Sequence, residues 1–395
     1  LRSVFDALTE NADWLHSVTL SEAVRQTTPA GKVYLPDCSY REMTEWALPV
    51  EAQETFDDVV HEFEGVARWG DLKSFVRGGY WRNFKTKYEE TNEMYARMMS
   101  VSRRLEDAEA DGADPTELAT VRDHLYRGQC NCPYWHGAFG GVYLPHLRNA
   151  IYYHLIEADT ILDRVTQSGS AVYATAEDYN FDGMQEIRLS NDRLCAWIAP
   201  GRGGRMYELD VREISHNLLA TLQRRPESYH RKVLQGPNTD GEDVASIHDR
   251  VVFKQADLDQ RLHYDRYARK SLMDHFFDEG TTLDAVAKSE AMERGDFVDL
   301  PFETKLRRGA DRAQVLMRRD GNAWGIPVTV SKAITMITGS DRMEITYLLE
   351  NLPPGRPLHF GVELNFAGLP AGADDRYFSD RDGNRLGQLG EKLDL

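Results

Sequence analysis

The chain has 395 residues, enough for two or three domains and a sizeable core. It carries 47 Lys and Arg against 64 Asp and Glu, a net charge of −17 with no basic block, which excludes the footprint of a nucleic-acid-binding protein. With 41% hydrophobic residues, four Cys and no run of about 18 apolar residues, it reads as neither disordered, nor a disulfide scaffold, nor membrane-spanning.

The chain opens Leu1-Arg2-Ser3-Val4-Phe5, without Met or a signal peptide, as expected of part of a longer protein. Its free thiols point to the cytoplasm. Residues 1–30 read as helices joined by short turns. Lys32-Val33-Tyr34-Leu35-Pro36 is a short apolar run closed by a Pro, the pattern of a buried strand opening into the loop Asp37-Cys38-Ser39-Tyr40. Phe56, Val59, Val60 and Phe63 then recur at helical spacing, as do Met94, Met98, Val101 and Leu105. Asp111-Gly112-Ala113 ends that second helix. Asp114 caps the next, with Pro115 in its first turn and Leu118, Val121 and Leu125 as its buried stripe. Leu147, Ile151, Leu155, Ala158 and Leu162 predict one more amphipathic helix.

After about residue 165 the period changes from helical to alternating. Ile187 and Leu189 alternate with polar residues before a turn at Asn191-Asp192. Val328 to Met336 and Met343 to Leu349 predict an antiparallel hairpin about Gly339-Ser340-Asp341. An insert around 205–290 reads as partly helical. Short strands recur to the end, so the second half reads as an antiparallel β-sandwich.

Three groups of residues could carry chemistry. The densest runs from Gln129 to Pro145 between two helices. Its Asn131, Tyr134, Trp135 and His136 suit a sugar site, where rings stack on a pyranose face and Asn and His bind hydroxyls. A buried helix junction with a satisfied His fits the same composition. Cys130 and Cys132 with His136 lack the second ligand pair of a structural zinc site. Tyr40, Glu45 and Trp46 follow the strand. If it belongs to a parallel barrel, they face the active site; otherwise they form a capped surface helix. Finally, Asp178, Asn180, Asp182, Gly183 and Glu186 place oxygen side chains at alternate positions before a Gly, the way a short loop wraps Ca²⁺, though an ordinary Asp/Asn/Gly turn shares the pattern. Gly201-Arg202-Gly203-Gly204-Arg205 precedes a strand pattern rather than a helix, and so fails as a phosphate loop.

The segment from Val33-Tyr34-Leu35-Pro36 through Arg41-Glu42-Met43-Thr44-Glu45-Trp46 to Pro49, with residues 129–148 carrying Tyr134-Trp135-His136-Gly137 and Tyr143-Leu144-Pro145, resembles glycoside hydrolase family 57, in particular its 4-α-glucanotransferase and α-amylase members. The resemblance continues through Arg77-Gly78-Gly79 with Trp81, Asp274-His275 and Glu363-Leu364-Asn365. It implies the end of a (β/α)₇-type barrel over 1–50, a helical domain over 51–165 and a galactose-mutarotase-like β-sandwich over 166–395, its completeness at the C-terminus left open. It implies retaining cleavage of α-1,4-glucans by two carboxylates on segments preceding this chain, so that no catalytic residue lies here and the chain alone is inactive. Substrate contacts are expected at Tyr40, Glu45, Trp46, Arg77, Trp81, Asn131, Tyr134, Trp135 and His136. Cys132 departs from the family's Asp. The expected partner is an α-glucan oligosaccharide or polysaccharide, with neither nucleic acid nor membrane, and a homodimer left open. No cofactor is expected for the chemistry, and a structural Ca²⁺ is expected on Asp178, Asn180, Asp182 and Glu186. Two alternatives remain: a non-catalytic carbohydrate-binding protein, and a mannosidase-like metal enzyme, which would need an Asp/His metal set.

Overall fold

The computed structural model describes residues 2–34, 41–136, 140–166, 172–235, 258–367, 371–391 and 393. The chain divides into two compact units, residues 1–39 and 40–395. In the first, α1 (Arg2–Glu10) and α2 (Leu20–Gln26) follow the helical reading of the sequence. Thr19 and Glu22 close the start of α2 reciprocally: Glu22 N–H donates to Thr19 Oγ1 at 3.3 Å, and Thr19 N–H donates to the Glu22 carboxylate at 2.8 Å. Neither helix buries a residue. The strand expected at 32–36 is not formed over its described part. Residues 31–34 are irregular, and Val33 and Tyr34 are 79% and 86% exposed. A strand is held by its neighbours' hydrogen bonds and by burial, and among the described residues none pairs with this segment. Leu35 and Pro36 lie outside the described residues.

The second unit begins with α3 (Arg41–Trp46), α4 (Val50–Glu64), α5 (Trp69–Leu72) and α6 (Trp81–Lys87). Three long helices follow: α7 (Glu89–Ala110), α8 (Pro115–Gly128) and α9 (Pro145–Thr166). They form where the 3.6-residue pattern predicts. Asp114 accepts from Thr116 N–H at 2.8 Å, as its capping role requires. Met94, Val101 and Leu105 of α7 meet Leu118, Val121 and Leu125 of α8 and Ile151, Leu155 and Leu162 of α9 in one core.

A five-stranded antiparallel sheet runs in order through β1 (Val172–Glu177), β2 (Glu186–Asn191), β3 (Leu194–Ala199), β4 (Arg205–Val211) and β5 (His216–Asn217). After β6 (Met273–Phe277) comes a second antiparallel sheet of β7 (Glu303–Arg308), β8 (Arg312–Ala323), β9 (Ile326–Ile337) and β10 (Met343–Glu350). Met336 pairs with Met343 in the expected hairpin. β11 (His359–Glu363) pairs with β6, and β12 (Tyr377–Ser379) pairs with β13 (Arg385–Gln388). Ile187, Leu189 and Ile198 of the first large sheet share a core with Val315, Val330 and Ile334 of the second, so the two pack face to face.

The middle strands of the first sheet have no solvent face, which the alternating pattern did not predict. Every residue of β2 and β3 is buried. The polar positions face α7 and α9 through a network of buried charges. Arg97 of α7 donates to Glu208 at 2.8 Å and lies 3.0 Å from Asp159, while Arg188 of β2 donates to Asp159 at 2.8 Å and Asp163 at 2.6 Å. Burial works to raise the Asp163 carboxyl, but Arg188, Arg104 and Arg212 around it hold it well below the usual carboxylate range. Alternation here reports a helix-covered polar face. The helical region and the sheets therefore form one unit.

Lys332 is also fully buried, donating to the carbonyls of Gly203 and Leu272 at 2.8 and 2.7 Å beside Asp274. Gly203 and Gly204 both have positive φ, and a Cβ on Gly203 would overlap the carbonyl of Val298. That Gly-rich run is thus a turn feeding β4. Among the described residues, no helix is long and apolar enough to cross a membrane.

Candidate functional site

The sequence places aromatic residues in three distant segments, and the fold gathers them around α6. Gly79 N–H donates to the carbonyl of Thr44 at 2.7 Å, fixing the loop before α6 against α3. A Cβ on Gly78 would collide with the same carbonyl, so this approach requires glycine. From α6, Trp81 and Phe84 each reach the Trp135 ring with centroids 4.6 Å apart. Trp46, at the end of α3, stacks on His136 at 5.5 Å. Behind Trp135, a short 3₁₀ turn at Gly141–Tyr143 donates from Val142 N–H to the Trp135 carbonyl at 2.6 Å. A side chain at Gly141 would overlap that carbonyl.

This wall bounds an open cleft of about 290 Å³ lined by Trp81, Tyr95, Met98, Gln129, Asn131, Tyr134 and Trp135. Four of these are expected site residues: Trp81, Asn131, Tyr134 and Trp135. Asn131 is exposed at the rim, and Tyr134 presents its ring while its hydroxyl donates to the Gly128 carbonyl at 2.7 Å. The cleft is chemically suited to a sugar: ring faces for the apolar side of a pyranose, and amides for hydroxyls.

Beneath the wall lies a buried polar nest. His136 is 7% exposed, and its Nε2 lies 2.5 Å from the Tyr88 hydroxyl. Tyr88 spends its single proton on Glu227, to which it donates at 2.6 Å, so His136 donates from Nε2 to Tyr88. Tyr143 also donates to Glu227, and Lys87 lies 3.4 Å from it. Burial pushes His136 down to about 4, helped by Lys87 and Arg225 and opposed by Glu227. The imidazole is therefore neutral near pH 7. Burial and the neighbouring carboxylate push the Tyr88 and Tyr143 phenols far up, so both remain donors.

The other expected contacts fall elsewhere. Glu45 lies in helix α3, paired with Arg41 at 2.5 Å, and Arg77 donates to the Ser74 carbonyl at 3.1 Å; neither lines the cleft. Tyr40 lies outside the described residues. The expected Ca²⁺ loop is a self-satisfied turn. Asp178 accepts from the N–H groups of Asp182 and Gly183, each at 3.1 Å, Asp182 accepts from Met184 at 2.9 Å, and Glu186 accepts from Tyr179 N–H and Asn180, each at 3.0 Å. These oxygens serve the loop's own donors, the alternative the sequence left open. Glu186 is pushed up to about 7, chiefly by burial. Cys130 and Cys132 are exposed while His136 is turned inward to Tyr88; among the described residues no group of three His, Cys, Asp or Glu is arranged to hold a metal.

Tyr95, Met98, Gln129 and Glu227 were not anticipated. The first three share a helix face or loop with recognised residues, so helical periodicity from Tyr95 could have pointed to the cleft. Glu227 sits in Arg224-Arg225-Pro226-Glu227, which carries no spacing signal.

Helices bearing such a cleft, laid on paired antiparallel sheets, form a mixed α/β class that this chain shares with a crystal structure of 4-alpha-glucanotransferase from Thermococcus litoralis. The TM-score is 0.68 at 33% identity, over 93% of this chain and 51% of that one. The family model for the alpha-amylase/4-alpha-glucanotransferase middle domain matches residues 79–162, and the model for its C-terminal region matches residues 178–395. The chain belongs to the alpha-amylase/4-alpha-glucanotransferase family. It is 35% identical over 369 residues to an alpha-amylase of Pyrococcus abyssi and 35% identical over 372 residues to the 4-alpha-glucanotransferase of T. litoralis. In each case the match covers 93% of this chain and 52% of the relative, so the chain spans about half the length of the curated relatives it matches.

Proposed function

We propose that this chain is the substrate-holding, C-terminal part of a retaining, family 57-type enzyme that processes α-1,4-glucans as a 4-α-glucanotransferase or α-amylase. The observation that carries the reading is the cleft on Trp81, Asn131, Tyr134 and Trp135, which has stacking faces and amides but no carboxylate in its lining. Retaining cleavage needs two carboxylates about 5–5.5 Å apart across the scissile bond. In this reading that pair belongs to a barrel segment outside these residues, and the cleft holds the glucan beside it. Trp46, stacked on His136, continues the aromatic wall behind the cleft. The paired sheets are read as a galactose-mutarotase-like sandwich serving as a scaffold. The free thiols of Cys130, Cys132 and Cys195 are in keeping with a cytoplasmic setting.

A non-catalytic carbohydrate-binding protein is the second reading, favoured by the same carboxylate-free lining. Titration with maltoheptaose, followed by tryptophan fluorescence and by chromatography of the oligosaccharide chain lengths, which both hydrolysis and transfer alter, tests both. Binding without turnover by this chain, and turnover once the preceding barrel segment of the same coding sequence is included, supports the enzyme. Binding with no turnover in either form supports the binding protein.

A further inference from the structure

Building on the glucan reading above, we infer a second α-glucan-binding surface, on the sandwich, with the Trp324 ring as its platform. The hairpin joining β8 to β9 turns on two residues, Trp324 and Gly325, between the paired Ala323 and Ile326. Both have positive φ, 58° and 73°, the mark of a type I′ turn. Asn, Asp or Gly is preferred at the first position, because a bulky side chain there is strained. Core packing does not explain Trp here, since its side chain is 37% exposed. A strained Trp that stays 37% exposed is a conformational cost that burial offsets only in part, and such outliers concentrate where a ligand is held.

The ring is braced. The backbone N–H of Trp324 donates to the Arg294 carbonyl at 2.8 Å, which holds the turn, and the Arg294 guanidinium packs over the ring, 4.8 Å from its centre. Arg294 is itself fixed by Asp278 through two contacts of 2.8 and 3.1 Å. Beside the ring opens a cleft of about 400 Å³, lined by Trp324, Phe277, His359, Glu279 and Arg356 among others. His359 Nδ1 donates to the Asp278 carbonyl at 3.2 Å, leaving Nε2 as an acceptor. Among the described residues, Glu279 and Arg356 have no ion-pair partner, and Arg356 lies 5.6 Å from the Trp324 ring centre. One exposed indole beside a free acceptor, a carboxylate and a guanidinium matches a glucan, whose hydroxyls both donate and accept and whose ring faces are apolar. The helical cleft joins aromatic and polar groups in the same way. Two such clefts on one chain suit a polymer, which can engage both and gain avidity that a short oligosaccharide lacks.

The test is affinity electrophoresis of the chain in gels containing amylopectin, with melting curves of each variant as fold controls. Trp324→Asn removes the ring but gives the turn its preferred Asn-Gly pair, so the fold is kept; Trp324→Phe keeps a ring; Arg356→Ala removes a cleft donor without touching the turn. The inference expects Trp324→Asn and Arg356→Ala to weaken amylopectin affinity, the former roughly tenfold, while Trp324→Phe stays near wild type and maltotriose affinity is unchanged in all three. If Trp324→Asn and Arg356→Ala migrate like wild type while Trp135→Ala is no longer retarded, the sandwich surface is refuted and the helical cleft stands. If the wild-type chain is not retarded at all, the glucan reading itself fails.

Discussion

The Tyr88 hydroxyl donates to Glu227 across 139 residues of sequence at 2.6 Å, and this contact joins the floor of the aromatic cleft to a segment between the two large sheets. Both groups are buried, Tyr88 at 0% exposure and Glu227 at 4%. Tyr88→Phe leaves both the carboxylate and His136 short of a partner. We expect a loss of about 1–3 kcal/mol in unfolding free energy, measured by urea titration. Glu227→Ala, which strands Lys87 and two phenols, should cost more. Equal, negligible effects of both changes would show that the nest does not hold the floor.

His136 makes stability depend on pH. Its pKa is about 4 in the folded chain against 6.5 when unfolded, so below pH 6.5 the unfolded state binds the extra proton. This contribution is intact above pH 6.5 and is lost as pH falls toward 4, about 3 kcal/mol in all. Glu93 and Glu186, both raised to about 7, act in the opposite sense over part of this window, so the readout is the difference between wild type and His136→Gln. That difference should grow as pH rises from 4 to 6.5 and then level off. A flat difference would mean that the imidazole titrates normally.

His275 should work the other way. Burial alone would lower its pKa, but Glu293 at 2.6 Å and Glu363 at 3.1 Å push it up to about 9. The contact to Glu293 is a hydrogen bond, while that to Glu363 is an ion pair without hydrogen-bond alignment. With a folded pKa above the unfolded 6.5, its contribution is full below pH 6.5 and is lost as pH rises to 9. His275→Gln should therefore destabilise the chain at pH 6 and much less at pH 9.5, by denaturant titration at each pH. An equal loss at both would reject the charged pair.

Trp135 and Trp197 should behave oppositely. Trp135 lines the open cleft, whereas Trp197 is 2% exposed in β3, edge-on to Tyr179 with Arg97 over its ring. Trp135→Ala should weaken maltoheptaose binding by about 1–3 kcal/mol with a smaller change in melting temperature. Trp197→Ala should cost about 3–5 kcal/mol of stability and leave the affinity of the folded fraction near wild type. Calorimetric titration and thermal melts check both.

The long helices and the β9–β10 hairpin were legible because their stripes are long, periodic and capped. The cleft was half legible: Trp81, Asn131, Tyr134 and Trp135 stand in recognisable motifs. Glu227 was not, because a carboxylate in a polar run carries no mark of the partners that the fold brings to it. One pattern misled for a physical reason, and a second has a competing use in the fold. Val33 and Tyr34 have strand propensity, but propensity without a pairing neighbour makes no strand. Asp178 to Glu186 has the oxygens for a cation, yet backbone N–H groups two to seven residues away claim them first. A chelator should accordingly leave the melting temperature unchanged, and Asp178→Ala should cost about 1 kcal/mol through its lost backbone contacts. A fall of several degrees on chelation would restore the cation.

The most direct test of the substrate-holding role is calorimetric titration of maltoheptaose into the chain, paired with chromatography of the oligosaccharide chain lengths in the same sample. We predict saturable binding that Trp135→Ala weakens by roughly tenfold or more, with maltoheptaose neither shortened nor lengthened, because the cleft has rings and amides but no carboxylate pair. Absence of binding to the folded chain, or robust glucan cleavage by it, would contradict the account.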